Sequence, residues 1–162
     1  MTKPLIELIN ELATSLSGAK FKLCTAESCT GGLIAKSLTD LAGSSAWFER
    51  GFVTYSNESK VEMLGVSESV IEQYGAVSEP VAIAMAVGAL KHSHAGYSIA
   101  VTGVAGPGGG SDQKPVGTVW IAIASQNQTW AQKFLFDGNR EKIRLSTMES
   151  AIEQLLCIIN AE

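Results

Sequence analysis

Cysteine is scarce in this 162-residue chain. Cys24, Cys29 and Cys157 are an odd number and form no Cys-x-x-Cys pair, so neither a disulfide framework nor a cysteine zinc site is indicated. Histidine is scarcer still, and the lone His92-x-His94 has no carboxylate or cysteine cluster to complete a metal site. No apolar run approaches the ~18 residues of a membrane span. The opening segment interrupts its apolar residues with Glu7 and Asn10, so it lacks a secretory core. A reducing cytoplasm is the expected compartment. Basic side chains are also short in supply, 12 against 16 acidic ones for a net charge of -4, which is a poor match to a polyanion. Neither nucleic acid nor a membrane is an expected partner, and a homo-oligomer is left open. Charged residues are only 17% and hydrophobic residues 46%, which excludes extended disorder. A chain of this length buries roughly 70% of its unfolded surface, enough for one full core over residues 1–162.

What is present is a regular alternation of elements. Leu5, Ile6, Ile9, Leu12, Ala13 and Leu16 recur at helical spacing, with Gly18 placed to end the helix. Lys20 to Leu23 alternates like a half-buried strand and runs through Cys24-Thr25 into the turn Glu27-Ser28-Cys29-Thr30-Gly31-Gly32. A helix follows to about Gly43. Phe52 to Tyr55 reads as a strand, and Asn57, Ser67 and Ser78 read as caps of three helices. Strands are expected at Tyr97 to Thr102 and Val116 to Ser125. Thr129 to Phe136 pairs with the second of these as a hairpin. A long helix starts near Asn139. This order predicts an α/β fold, a three-layer α/β/α sandwich with a mixed β-sheet.

Three stretches suit an anion. The glycine-rich segment Gly103 to Ser111 offers backbone amides with little bulk, but it is followed by no Gly-Lys-Ser/Thr and leads into a strand, so it is neither a P-loop nor a Rossmann turn. Thr30-Gly31-Gly32 lies between a strand and a helix, where free N–H groups and the positive dipole end coincide. Arg140, Lys142 and Arg144 sit at a helix start, where cations oppose the dipole unless an anion is bound. An ordinary hairpin loop, an ordinary helix start and solvated surface charges remain the plain alternatives. For a nucleophile the residue types leave the choice open; Cys29 with Glu27 as base is one candidate for a thiol amidase.

Thr25-Ala-Glu-Ser-Cys-Thr-Gly-Gly32, Ala42-Gly-Ser-Ser-Ala-Trp-Phe-Glu-Arg-Gly-Phe-Val-Thr-Tyr-Ser-Asn57 and Lys114-Pro-Val-Gly-Thr-Val119 closely resemble the CinA C-terminal domain family, and the resemblance extends over nearly the whole chain. It implies an amidohydrolase that converts nicotinamide mononucleotide to nicotinate mononucleotide and ammonia in pyridine nucleotide salvage, with a small-molecule pyridine mononucleotide as partner. No cofactor and no metal are implied. The family's Ser/Lys pattern falls on Ser45, Tyr55 and Lys60, with Ser44 as the competing nucleophile. Nucleotide contacts are implied for Thr30, Gly31 and Gly32, for Thr102, Gly103, Val104 and Ala105, and for Arg140, with Arg144 as the competitor. Asn139 departs from the acid that family members tend to carry before that arginine. The oxyanion is expected at amides of the Ser44-Ser45-Ala46 turn or the glycine loop. A non-catalytic nucleotide-binding module is the alternative.

Overall fold

The computed structural model describes residues 3–162. Helix α1 (Leu5–Ala19) buries Leu8, Ile9, Leu12 and Leu16, the stripe expected from their spacing. It runs past Gly18 and ends instead at Lys20, whose φ of 59° is left-handed. The amide of Lys20 bonds the Ser17 carbonyl and that of Phe21 the Leu16 carbonyl, a Schellman closure that carries the strain of a non-glycine residue there.

Strand β1 (Leu23–Glu27) is wholly buried and starts three residues later than the alternation from Lys20 suggested. It lies between two parallel neighbours, so both faces are covered and no alternation is needed. Helix α2 (Leu33–Thr39) and a single 3₁₀ turn (Ser44–Ala46) lead to β2 (Phe48–Val53). β2 begins four residues before the expected Phe52, because it pairs with β1 from Leu23↔Phe48 to Glu27↔Val53, with one register shift between Leu23 and Cys24. Tyr55 therefore stands beyond the strand. Helix α3 (Asn57–Leu64) is capped by Ser56, whose hydroxyl accepts the Ser59 amide, one residue before the expected Asn57. Helices α4 (Glu68–Tyr74) and α5 (Glu79–Lys91) precede β3 (Tyr97–Gly103). β4 (Thr118–Ser125) and β5 (Thr129–Leu135) form the expected hairpin, and α6 (Arg140–Ala161) closes the chain with Asn139 at its N-cap.

The five strands form one mixed sheet in the order β2-β1-β3-β4-β5, the first three parallel and the last two antiparallel. Its two faces differ in side-chain size. One presents Leu23, Ile99, Val101, Val119, Ile121 and Ile123 to α1, α2 and α6. The other presents Ala26, Ala100, Ala122 and Ala124 to α3, α4 and α5. Small residues let α5 sit close to the strands and to α3: a Cβ at Gly88 would stand 2.0 Å from the Leu64 carbonyl oxygen. The α/β/α sandwich predicted from the order of elements is thus the observed fold. Among the described residues no helix is long and apolar enough to cross a membrane.

Candidate active site

From β1 the chain goes through α2 on one face to β2 on one side, and β3 on the other side is reached through helices of the opposite face. The C-terminal end of β1 is therefore a topological switch point, where open α/β sheets form a crevice. Ser28 is the first residue after that strand. Its amide bonds the Val101 carbonyl of β3, and its carbonyl accepts the Gly31 amide across a four-residue turn.

Lys60, on the first turns of α3, reaches this point from the other side. It is 1% exposed, and its Nζ lies 3.0 Å from Ser28 Oγ, 3.0 Å from the Thr54 carbonyl and 3.2 Å from the Tyr55 carbonyl. Among the described residues the ion pairs are Lys3–Glu11, Lys36–Asp40 and Arg50–Glu49, so no carboxylate holds Lys60 in its charged form. Burial pushes its pKa below the ordinary lysine value, with the nearby Cys29 opposing. That opposition needs a thiolate, and burial raises the Cys29 thiol to about 11. The start of α3 adds a positive dipole end that acts in the same direction as burial. The Nζ donates to Ser28 Oγ and faces three carbonyls, those of Thr54, Tyr55 and, at 3.5 Å, Ser56; once the amine is neutral, its two N–H groups have carbonyls to go to and its lone pair is available to the Ser28 hydroxyl.

The turn that carries Ser28 is held from within. The Glu27 carboxylate, 0% exposed, accepts the Thr30 hydroxyl at 2.6 Å and the amides of Ile34 and Ala35 at 2.8 and 3.0 Å. The start of α2, expected to receive an external anion, is thus already capped by the chain's own. Gly31 and Gly32 supply φ values of 59° and 104° that other residues adopt only under strain. Arg144 crosses from α6 to donate to the Thr30 carbonyl at 2.8 Å. One turn earlier, Arg140 donates to the Gly106 carbonyl at 2.8 Å and to the Tyr55 hydroxyl at 3.0 Å. Neither arginine has an acidic partner among the described residues. Asn139 spends its side chain on the Lys142 amide at 2.9 Å, a capping role that a neutral amide fills without opposing the Arg140 charge.

The structure brings Tyr55, Lys60, Thr30, Gly31, Gly32 and Arg140 to one end of the sheet, but not Ser45. That residue is exposed in the 3₁₀ turn before β2, at the strand's opposite end. Six residues of strand at ~3.3 Å each leave about 20 Å between Ser45 and the end where Lys60 sits. Ser44 is in the same turn and equally removed, and so are the amides expected there for an oxyanion. Tyr55 meets Lys60 through its carbonyl, whereas its hydroxyl faces Arg140, so the phenol is not at the amine. Thr102 turns its hydroxyl to the Ala76 carbonyl, and the Val104 amide is bound to the Thr118 carbonyl, so this stretch extends the hairpin between β3 and β4. Gly103 and Ala105 flank it at the same end. The thiol of Cys29 is buried and protonated, and Glu27 is engaged with α2, which leaves the pair unsuited to act as nucleophile and base.

The larger concavities of the surface lie elsewhere. One of about 680 Å³ lies between α1 and α6 beside Glu11 and Cys157, and one of about 620 Å³ opens at the other end of the sheet beside Lys91, His94 and Asn127. Neither contains a buried ionisable group set against a nucleophile. The chemistry, not the volume, makes Ser28 and Lys60 the candidate site.

The sequence model of the CinA C-terminal domain matches residues 5–159. The chain belongs to that family. Among its curated relatives, the nicotinamide-nucleotide amidohydrolase PncC of Shigella flexneri is 50% identical, covering 93% of this chain and 92% of that protein. The protein of the same name from Pseudomonas putida is 48% identical, with 94% and 96% covered. Among solved structures, the competence/damage inducible protein CihA from Agrobacterium tumefaciens superposes with a TM-score of 0.93 at 45% identity, covering 99% of this chain and 98% of that one.

For this CinA C-terminal domain, reading the sequence missed Ser28 as a partner of Lys60 and Glu27 as the cap of α2. A signal was available for the first. A serine directly after a buried strand and before a Gly-Gly helix start occupies a strand-turn-helix corner, the setting in which other hydrolases present a nucleophile.

Proposed function

We propose that the chain hydrolyses the carboxamide of nicotinamide mononucleotide to nicotinate mononucleotide and ammonia, through a Ser28–Lys60 dyad, within pyridine nucleotide salvage. The observation that carries this reading is the buried Lys60 amine, free of any acid and 3.0 Å from the Ser28 hydroxyl. The names of relatives about half identical over nearly the whole chain supply the substrate. Neutral Lys60 takes the Ser28 proton as Oγ bonds the amide carbon and the carbonyl electron pair moves onto oxygen. The resulting ammonium returns its proton to the nitrogen as the C–N bond breaks, so ammonia leaves and an ester on Ser28 remains. Water, deprotonated by the same amine, then attacks the ester carbonyl, and the ammonium returns that proton to Ser28 Oγ as the ester C–O bond breaks, releasing the acid and restoring the dyad. Arg140 is assigned to the 5′-phosphate, since it has no acidic partner among the described residues and stands at the rim between Tyr55 and the glycine loop.

The test is ammonia release by purified protein from nicotinamide mononucleotide, nicotinamide riboside and free nicotinamide. Turnover of the mononucleotide well above that of the other two is expected. Binding of the mononucleotide without ammonia release would replace the enzyme with a nucleotide-binding module.

A further inference from the structure

A tetrahedral oxyanion formed at Ser28 needs a donor, and the turn itself shows where one is. The Ser28-to-Gly31 hydrogen bond uses the Gly31 amide, and the Cys29 amide has no backbone acceptor in the turn. Cys29 keeps 6% exposure, whereas Thr30, at 0%, has no surface to offer a ligand. The Cys29 amide follows the nucleophile directly, where other hydrolases that use a serine at a strand-turn-helix corner place an oxyanion donor. It lies before α2, whose own first free amides are taken up by Glu27.

We propose that Glu27 is a positioning residue for the reaction, its buried carboxylate tying the Thr30 hydroxyl to the start of α2 so that the turn holds the Cys29 amide for the oxyanion. The proposal rests on Ser28 being the nucleophile. Glu27 makes its hydrogen bonds to Thr30, Ile34 and Ala35 and none to Lys60; it acts by fixing a turn that must present an N–H group without rearranging as charge develops. The 2.6 Å bond from Thr30 Oγ1 is the tie between the turn and the carboxylate. Arg144, donating to the Thr30 carbonyl, holds the far side of the same residue. Oxyanion donation is an interaction made only in the transition state, so loosening the turn lowers kcat and leaves KM nearly unchanged.

The experiment compares wild type with Thr30→Val, Thr30→Ser, Glu27→Gln and Ser28→Ala. Thr30→Val keeps the shape and removes the tie, while Thr30→Ser restores the hydroxyl should Glu27→Gln fail to fold. For each variant kcat and KM are measured with nicotinamide mononucleotide. Affinities are measured for nicotinate mononucleotide and for the aldehyde analogue of the substrate, which Ser28 converts to a hemiacetal bearing oxygen at the oxyanion position. Thr30→Val is expected to lose about 10- to 100-fold in kcat and a similar factor in affinity for the aldehyde. Its KM and its affinity for the acid should stay within about threefold of wild type, and Thr30→Ser should recover most of the loss. Equal loss of aldehyde and acid affinity, or a kcat loss that Thr30→Ser does not recover, overturns the proposal. Failure of the underlying reading shows elsewhere: Ser28→Ala would then keep ammonia release and bind the aldehyde as tightly as wild type.

Discussion

Lys60 Nζ and Ser28 Oγ, 32 residues apart in sequence, meet at 3.0 Å inside the protein, while Ser45 lies at the other end of β2. Ser28→Ala should lower amidase activity by about 10³-fold or more, as removal of a nucleophile does elsewhere. Ser45→Ala should retain activity within about twofold. Ammonia release checks both, with thermal unfolding to show that each variant folds.

Lys60 predicts two pH dependences. Its folded pKa lies below the ordinary 10.5 because burial disfavours the ammonium. As a base it must be neutral, so kcat/KM should rise with pH through an apparent pKa below 10.5, and Lys60→Arg should be inactive throughout. For stability, the unfolded chain binds the proton more tightly than the folded one. Between the lowered pKa and 10.5 unfolding takes up a proton, so this residue makes stability rise with pH across that window. Urea unfolding at a series of pH values should show the rise in wild type and its reduction in Lys60→Met.

Thiol reactivity separates the dyad from a cysteine mechanism. Burial raises both Cys24 and Cys29 to about 11, whereas Cys157 is exposed on α6. Iodoacetamide near pH 8 should therefore add one group per folded chain, at Cys157, with activity retained. Intact-mass and peptide analysis after treatment checks the position. Inactivation that substrate protects against would restore Cys29 as nucleophile.

Arg140→Ala should raise KM for the mononucleotide about 10- to 100-fold, the worth of a charge-assisted contact at roughly 1.5–3 kcal/mol. The preference over nicotinamide riboside should shrink by the same factor. Tyr55→Phe removes one acceptor of the guanidinium and should have a smaller effect in the same direction. Unchanged selectivity in Arg140→Ala would remove this residue from the phosphate.

The fold was legible because its signals are local. The apolar stripe of α1, the β4–β5 hairpin and the helix start near Asn139 each depend on neighbours in sequence. Boundaries failed where pairing decides them: β2 starts and stops where β1 offers register, not where β-branched residues cluster. The resemblance named Lys60, Tyr55 and Arg140, which the fold brings to one end of the sheet. It did not name Ser28, because motif order along the chain does not say which end of a strand a serine occupies. Nor did it show the use of Glu27: a carboxylate beside a cysteine suggests a base, and only the arrival of the Ile34 and Ala35 amides shows that it is already spent.

The arginine-bearing helix α6 meets the β1–α2 turn across 114 residues, through Arg144 and the Thr30 carbonyl, and meets Tyr55 across 85, through Arg140. Contacts this distant close late, since loop entropy must be overcome before they repay it. During synthesis the first five helices and the sheet emerge before the segment that completes the rim. A nascent chain stalled ahead of residue 140 therefore lacks both rim arginines and also the α6 residues that fill the larger core. On the proposed reading, competence for the nucleotide comes only with the last 22-residue helix.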